Sequence, residues 1–472
     1  MFVQQFFVKG LAHSSYLLGG AETCAIVDPQ RDTEIYVRAA KDMGMKITHI
    51  LETHLHADFI SGHMDLAQRT GATIYAPKPA KCRFPHKAVG DGDAFRIEDM
   101  QIKVFETPGH TPEHISYVVT DKSRGADPVA VFCGDTLFVG DVGRPDLFPG
   151  RARELAGKLH NSLHKKLLTL PDFCEVYPAH GAGSLCGRAM GAKRISTIGY
   201  ERTYNAALQI RDKEEFIQSL TTNMPAAPDH FSRCSAINQK GPALVGELPA
   251  MAPLGPGQFR KAMMKKNTIV LDIRSYEAFG GQHIPGSYHV DFGGNFATFS
   301  GWVLPPDQNI LLVSESFAQA QDAGVWLRRV GLDKVVGCLD GGMFGWAKAG
   351  LPMNHIRQLS AEELHRMMTE GGKLSLVDVR AVGEFQTRHI EGAKNIPAPD
   401  LRQRHTELDT KRPVALVCST GHRSSLGAAL LKQQGFADVC NVAGGMMGYG
   451  AAGYSDECPL CVAPHVPGLA SK

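Results

Sequence analysis

The stretch ITHILETHLHADF, residues 47–59, decides how the first half of the chain is read. Ile47, Ile50 and Leu51 belong to an apolar, β-branched run that reads as a strand. His54, His56 and Asp58 follow it directly and put three coordinating groups on one rim loop. Three further strand-like runs end on residues of the same kind: IKVFETPGH on His110, VFCGD on Asp135 and CEVYPAH on His180. Loops at the ends of neighbouring strands converge, so residues distant in sequence can build one site. A lone buried histidine is ordinarily a hydrogen-bonded core residue. Four such strand ends in one region argue jointly for a metal.

Short strands separated by polar or Gly/Pro turns continue through residues 1–240, which reads as one module. A stretch rich in proline and glycine follows, and 241–255 is expected to be a linker. The remainder repeats itself. Leu271-Asp272-Ile273-Arg274 matches Val377-Asp378-Val379-Arg380, and Phe279, His283, Ile284 and Gly286 match Phe385, His389, Ile390 and Gly392. LDGGMFGW (339–346) matches VAGGMMGY (442–449) in the same way. Similarity over that length indicates two copies of one fold, at 256–355 and 356–472. Each copy alternates short apolar strands with helical stretches, such as 322–330 and 424–434, the pattern of a parallel α/β sheet. Three modules agree with 472 residues at about 150 per domain.

Composition narrows the function classes. Lys plus Arg at 50 against Asp plus Glu at 48 leaves a formal charge of +2, so neither nucleic acid nor an acidic membrane surface is an expected partner. No apolar run approaches the length of a membrane span, and the first twenty residues lack the features of a signal peptide. Eleven cysteines are too few for a disulfide scaffold, and the odd number leaves at least one unpaired. Reduced thiols and a cytoplasmic setting are expected.

His-x-His-x-Asp, the histidine of ThrProGlyHis, the aspartate of GlyAspThrLeuPhe and the histidine of ProAlaHisGly resemble the metallo-β-lactamase superfamily. The resemblance implies an αββα sandwich for the first module of an α/β multidomain chain. One departure bears on the chemistry. Dinuclear hydrolases of this superfamily carry a histidine after His-x-His-x-Asp, and here that position is Phe59. A benzyl side chain cannot ligate, so a mononuclear site is expected. Two imidazoles and a carboxylate with open positions suit non-haem Fe(II). The arrangement resembles the persulfide dioxygenase branch, which implies His54, His110 and Asp135 as ligands to one Fe(II) per chain. His56, Asp58 and His180 would then orient ligands or bound water. Arg144, in GlyArgProAsp, is a candidate to pair with a substrate carboxylate or phosphate, with a structural pair to Asp146 as the alternative. Cys186, six residues after His180, could hold a sulfane sulfur or serve as a small buried apolar residue.

The last copy carries a second kind of site. The strand ProValAlaLeuVal ends at Cys418, and SerThrGlyHisArgSer leads into a helix. Backbone N–H groups of the loop, the helix N-terminus, Arg423 and His422 all favour a thiolate there. Cys-x-x-Gly-x-Arg, with AspValArg and HisIleGluGlyAlaLysAsnIlePro upstream, resembles the rhodanese family. With the duplication, that implies two rhodanese-like α/β domains after the first module, with Cys418 as sulfur carrier and Arg423 as catalytic partner, and Gly421, His422 and Ser424 lining the loop. Four residues separate Cys418 from Arg423, one fewer than in the related cysteine phosphatases, so a single sulfur atom fits better than phosphate. The earlier copy has Ser314, Phe317 and Gln319 opposite Cys418, Gly421 and Arg423, and is expected to be catalytically silent. Cys458 and Cys461 form a Cys-x-x-Cys pair near the end, with a redox or relay role open.

Module order and content resemble the persulfide dioxygenase–rhodanese fusions. That implies oxidation of a small-molecule thiol persulfide by O2 to sulfite. Coupled to it would be sulfur transfer through Cys418, forming thiosulfate or supplying persulfide, in sulfide detoxification. The repeated copies offer surface for a homo-oligomer. Two alternatives stay open: a dinuclear zinc, glyoxalase II-like thioester hydrolase fused to a rhodanese, and a non-catalytic sulfane-sulfur carrier.

Overall fold

The computed structural model describes residues 1–454 apart from 223, 225–226, 294 and 372–373. Cys458 and Cys461 lie outside the described residues. The chain divides into two compact units, residues 1–248 with 325–332, and 249–324 with 333–472.

The first unit is built on two six-stranded sheets. One contains β1 (Phe2–Val8), β2 (His13–Gly19), β3 (Thr23–Val27), β4 (Lys46–Leu51), β5 (Thr73–Pro77) and β6 (Lys87–Val89), in that order. The other runs from β7 (Ala94–Ile97) through β8 (Met100–Glu106), β9 (Ile115–Asp121), β10 (Ala130–Gly134) and β11 (Glu175–Pro178) to β12 (Ser196–Thr197). β8 and β9 pair antiparallel from Met100 opposite Asp121 to Glu106 opposite Ile115. This register delivers the loop carrying His110.

The period of two along each strand explains the layering. In β3, Ala25 and Val27 face the space between the sheets, where they meet Tyr16, Ile102 and Tyr117. Cys24 and Ile26 face outward onto Tyr36 and Ala40 of the helix Glu34–Asp42 and Leu66 of the helix His63–Thr70. On the second sheet, Phe132 faces inward, while Val131 and Cys133 meet Leu159 and Leu163 of the helix Ala152–Lys165. Helices therefore cover both outer faces, giving the αββα sandwich.

The second unit holds two five-stranded, all-parallel sheets of the same strand order. The first comprises β13 (Ala252–Leu254), β14 (Thr268–Asp272), β15 (Tyr288–His289), β16 (Asn309–Val313) and β17 (Val335–Leu339), arranged β13-β17-β16-β14-β15. The second comprises β18 (Arg357–Leu359), β19 (Ser375–Asp378), β20 (Lys394–Asn395), β21 (Val414–Val417) and β22 (Val439–Val442), arranged β18-β22-β21-β19-β20. Central strands such as NILLV and VALV are apolar throughout because both faces of a parallel sheet are covered. The repeated Asp-x-Arg closes on itself in both copies: Arg274 forks onto Asp272 at 2.7–3.2 Å and Arg380 onto Asp378 at 2.6–3.1 Å.

One expectation is corrected here. Residues 241–255 are not all linker, because Ala252–Leu254 joins the first parallel sheet. Pro253 is tolerated because β13 is an edge strand that pairs on one side only. The helix expected near Ser424 spans His422–Gln433, with Gly421 as its cap.

Phe132 is almost wholly buried between the sheets, 5.0 Å from the Tyr177 ring and 5.3 Å from that of Tyr16. Phe132→Ala should destabilise the sandwich by about 3–5 kcal/mol. A urea titration read by hydrogen exchange in the β8–β10 peptides checks this, with an earlier midpoint expected.

Candidate functional site: metal centre and cysteine loop

Four strand ends converge in the first unit. His54 follows β4, His110 follows β8, Asp135 follows β10 and His180 follows β11. All four are buried. The ligand atoms of His54, His110 and Asp135 lie within 4.8 Å of one another. His54 Nε2 is 3.8 Å and His110 Nε2 3.3 Å from Asp135 Oδ2.

Hydrogen bonds settle which nitrogen of each ring is offered. Thr53 Oγ1 donates to Asp28 at 2.9 Å, so it accepts from His54 Nδ1, also at 2.9 Å. His110 Nδ1 donates to the carbonyl of Arg144 at 2.9 Å. Both Nε2 atoms are left buried without a hydrogen-bond partner, each with its lone pair turned toward the Asp135 carboxylate. Burial pushes the pKa of both rings below the usual histidine value, and a neutral imidazole is the form that ligates. The donor set fits a divalent metal with open positions.

His56 does not join this trio. Its Nε2 lies 3.1 Å from Asp28 Oδ1 and 3.9 Å from Glu52 Oε2. Burial opposes a charge on His56, but Asp28 and Glu52 outweigh it and raise its pKa. Burial pushes the Glu52 carboxyl up to about 8. His180 bridges two carboxylates, with Nδ1 2.8 Å from Asp135 Oδ1 and Nε2 2.8 Å from Asp58 Oδ2. Although burial works against it, these carboxylates hold the His180 pKa well above normal. Asp58, His180 and Cys186 form a second group whose ligand atoms lie within 4.8 Å of one another. Burial, reinforced by Asp58 and Asp135, pushes the Cys186 thiol well up. Cys186 packs with Ala57, Phe138 and Phe231 in an apolar wall. Phe59 is fully buried, its ring 4.0 Å from His13 and 4.4 Å from His56.

Arg144 is tied up in structure. Its guanidinium forks onto Asp146 at 2.7 and 2.8 Å and also reaches the carbonyl of Leu185 at 3.0 Å. At 2% exposure its guanidinium makes the pair with Asp146 that the sequence held open beside a substrate contact. Its backbone carbonyl, which orients His110, is its contribution to the site.

Several supporting residues escaped the sequence reading. Asp28 takes a left-handed φ of 50° and accepts from Thr53 N at 2.8 Å as well as from Thr53 Oγ1. Such strained non-glycine backbone clusters at functional sites. His114 stacks on His54 at 4.8 Å and accepts from the Asp135 N–H at 2.9 Å. Gly134 admits this approach, because a Cβ there would sit 2.5 Å from His114 Nε2. His13 is buried with neither ring nitrogen hydrogen-bonded. The one available signal was the Asp-Pro ending the CAIVDP strand.

In the second unit, Cys418 stands one residue beyond β21 and is 1% exposed. Its Sγ accepts from Gly421 N at 3.1 Å and Ser424 Oγ at 3.3 Å. Gly421 has φ +103°, which turns the chain into the twelve-residue helix His422–Gln433. The N-terminus of that helix favours negative charge in the loop. Arg423 forks onto Glu384 at 2.6 and 2.8 Å and bonds Ser419 Oγ at 2.8 Å. His422 Nδ1 pairs with Asp291. In the equivalent loop of the first copy, Ser314 Oγ donates to the carbonyl of Ser316 at 2.9 Å, and Gln319 accepts from Glu315 N at 2.8 Å. That loop holds no thiol.

Comparison with known proteins agrees with this division. The family model described as the metallo-beta-lactamase superfamily matches residues 8–180, and that described as the rhodanese-like domain matches 255–349 and 360–452. The mouse protein named persulfide dioxygenase ETHE1, mitochondrial, is 30% identical over 227 residues, covering 47% of this chain and 82% of the relative. A hydroxyacylglutathione hydrolase of Rhodospirillum rubrum is 38% identical over 159 residues, covering 33% of this chain and 57% of the relative. A crystal structure titled metallo-beta-lactamase from Staphylococcus aureus subsp. aureus COL aligns with a TM-score of 0.65 at 36% identity, covering 71% of this chain and 98% of that one. The chain therefore belongs to the metallo-beta-lactamase superfamily, as a persulfide dioxygenase–rhodanese fusion with two rhodanese-like domains.

Proposed function

We propose that the protein oxidises a small-molecule thiol persulfide with O2 at one Fe(II) held by His54, His110 and Asp135, and moves sulfane sulfur through Cys418. The observation that carries the first half is the pair of orphaned Nε2 atoms facing one carboxylate oxygen, with Phe59 where a further imidazole would stand. Iron would supply binding of persulfide sulfur and dioxygen side by side, so that both reactants are held together before oxygen transfer. The balance is R–S–SH + O2 + H2O giving R–SH and sulfurous acid, which ionises to sulfite. Thr53 and the Arg144 carbonyl keep the two imidazoles in the ligating tautomer. His180, clamped between Asp58 and Asp135, fixes the carboxylate. Phe138, Phe231 and Ala57 exclude water on the side where Cys186 lies. Cys186, whose Sγ lies with Asp58 and His180, would hold a sulfane sulfur of small substrates in this reading, with a small buried apolar residue as the alternative role.

In the cysteine loop, the Gly421 N–H and Ser424 hydroxyl cradle Sγ, and Arg423 is fixed by Glu384. Cys418 would then carry Cys–S–S⁻ and pass the outer sulfur to sulfite, giving thiosulfate, or to a thiol, giving the dioxygenase substrate. Sulfide detoxification in the cytoplasm is the setting this chemistry suits. No helix among the described residues is long and apolar enough to cross a membrane.

A second reading has its own support. The Asp58, His180 and Cys186 group could take a second ion, and a hydroxyacylglutathione hydrolase is among the relatives. Two zinc ions and oxygen-independent thioester cleavage would be its signature.

Oxygen uptake by anaerobically purified protein decides between these readings. With iron counted and a thiol persulfide added, about one iron per chain and stoichiometric uptake are expected for the mononuclear site. Two bound zinc ions without uptake would replace it by the hydrolase. Cys186→Ser should slow turnover of small persulfides, and unchanged steady-state kinetics would remove Cys186 from the substrate path. Cys418→Ser should reduce sulfur transfer from thiosulfate to cyanide to background, because a serine hydroxyl is not a sulfur carrier. Retained transfer would point to another thiol.

A further inference from the structure

The first rhodanese-like domain holds no thiol in its own loop, yet it is tied closely to the loop of the second. The Tyr276 ring lies against Gly421, close enough that a Cβ there would sit 3.0 Å from Tyr276 Cζ. His289 Nδ1 and Ser425 Oγ are 3.0 Å apart, and Gln433 donates to the carbonyl of Gly286 at 3.1 Å. Asp291 pairs with His422. Beside these contacts lies a cleft of about 800 Å³ between the two copies, lined from the second copy by His422, Arg423 and Leu426 of the helix that follows the Cys418 loop, and Arg423 bonds Ser419 of that loop at 2.8 Å.

The opposite wall comes from the first copy and is aromatic. Phe292, Phe296 and Phe299 line it with Val290, and Phe292 and Phe299 are half-buried. A volume of this size and this lining suit a ligand with an extended apolar body rather than a compact anion. The charges point the same way. Arg423 is paired with Glu384 and His422 with Asp291, and Glu315 adds a further carboxylate to the lining. Among the described residues lining the cleft, no cation is left over for the carboxylates of an anionic thiol, which this wall would disfavour. Asn295 and Gln319 contribute neutral amides.

We infer that this cleft binds the thiol partner of Cys418, and that the first copy selects a thiol borne on a neutral, largely apolar arm. The inference rests on the reading of Cys418 as sulfur carrier. In the step concerned, the acceptor thiol gives its proton to water and its thiolate attacks the outer sulfur of the Cys418 persulfide. The bond from that sulfur to Sγ breaks, its electron pair returns to Sγ, and a new S–S bond forms on the acceptor. No external oxidant or reductant is needed.

The test uses the full chain with thiosulfate as donor, since attack by Cys418 releases sulfite and leaves the persulfide. Acceptors are cyanide, glutathione, and N-acetyl-, N-butanoyl- and N-hexanoylcysteamine. From N-acetyl to N-hexanoyl, kcat/KM should rise at least about tenfold, as expected when methylenes are buried. Glutathione should fall below the N-hexanoyl thiol. In Phe299→Ala, and in Phe292→Ala as a second variant on the same wall, the ratio of N-hexanoyl to N-acetyl should collapse toward one. A flat series in the unsubstituted protein, a preference for glutathione, or a ratio untouched in both variants would overturn the inference. Cyanide turnover with a flat thiol series sinks the cleft alone, whereas no turnover even with cyanide sinks the reading of Cys418 as well.

Discussion

The Asp135 carboxylate meets three imidazoles, all four side chains buried, and the organisation of the first unit follows from that meeting. A buried carboxylate is tolerable only if it is paired and hydrogen-bonded. Here His54, His110 and His180 draw its pKa well below the ordinary value against the effect of burial. The four residues come from both sheets: His54 from the end of β4, and His110, Asp135 and His180 from the ends of β8, β10 and β11. The site therefore exists only when the sandwich is closed. Metal binding and the packing of the two sheets are coupled for the same reason, since a preformed ligand set is absent from the unfolded chain. Around it a further ring of polar groups fixes tautomers rather than touching a metal, Asp28 through Thr53 and Arg144 through its carbonyl.

The second unit makes the complementary point about loops. Two sheets share strand order and a buried Asp–Arg clamp, so the scaffold is the same to within small differences. What differs is the loop after the fourth strand in the chain order of each copy. In one, backbone and hydroxyl donors surround a thiol. In the other, a serine hydroxyl satisfies its own backbone. Chemistry resides in the loop and stability in the sheet beneath it. Freed from its own thiol, the first copy can present an aromatic wall and an aspartate to the second.

Much of this was legible in the sequence. The four strand ends, the duplication at 256–355 and 356–472, and the change from Cys418 to Ser314 are local or periodic features, visible without any distance. The misplaced linker boundary was also local in origin, since Pro253 argues for irregular chain, yet an edge position lets it join a sheet. The pair of Arg144 with Asp146 could be read from adjacent residues, whereas its bond to the Leu185 carbonyl could not.

By itself the sequence determined the duplication and its parallel α/β class, the strand-rich character of the first module, and the candidates for holding a metal or carrying sulfur, while the αββα arrangement came from the family resemblance. Strand period, repeats and strand-end chemistry are properties of adjacent residues. Only the tertiary structure decided which nitrogen of His54 and His110 is free, that His56 turns to Asp28 while His180 turns to Asp135, and that Phe292 and Phe299 wall a cleft beside His422. Each of these is a distance between residues far apart in the chain, and close packing around rigid strands is what sets it.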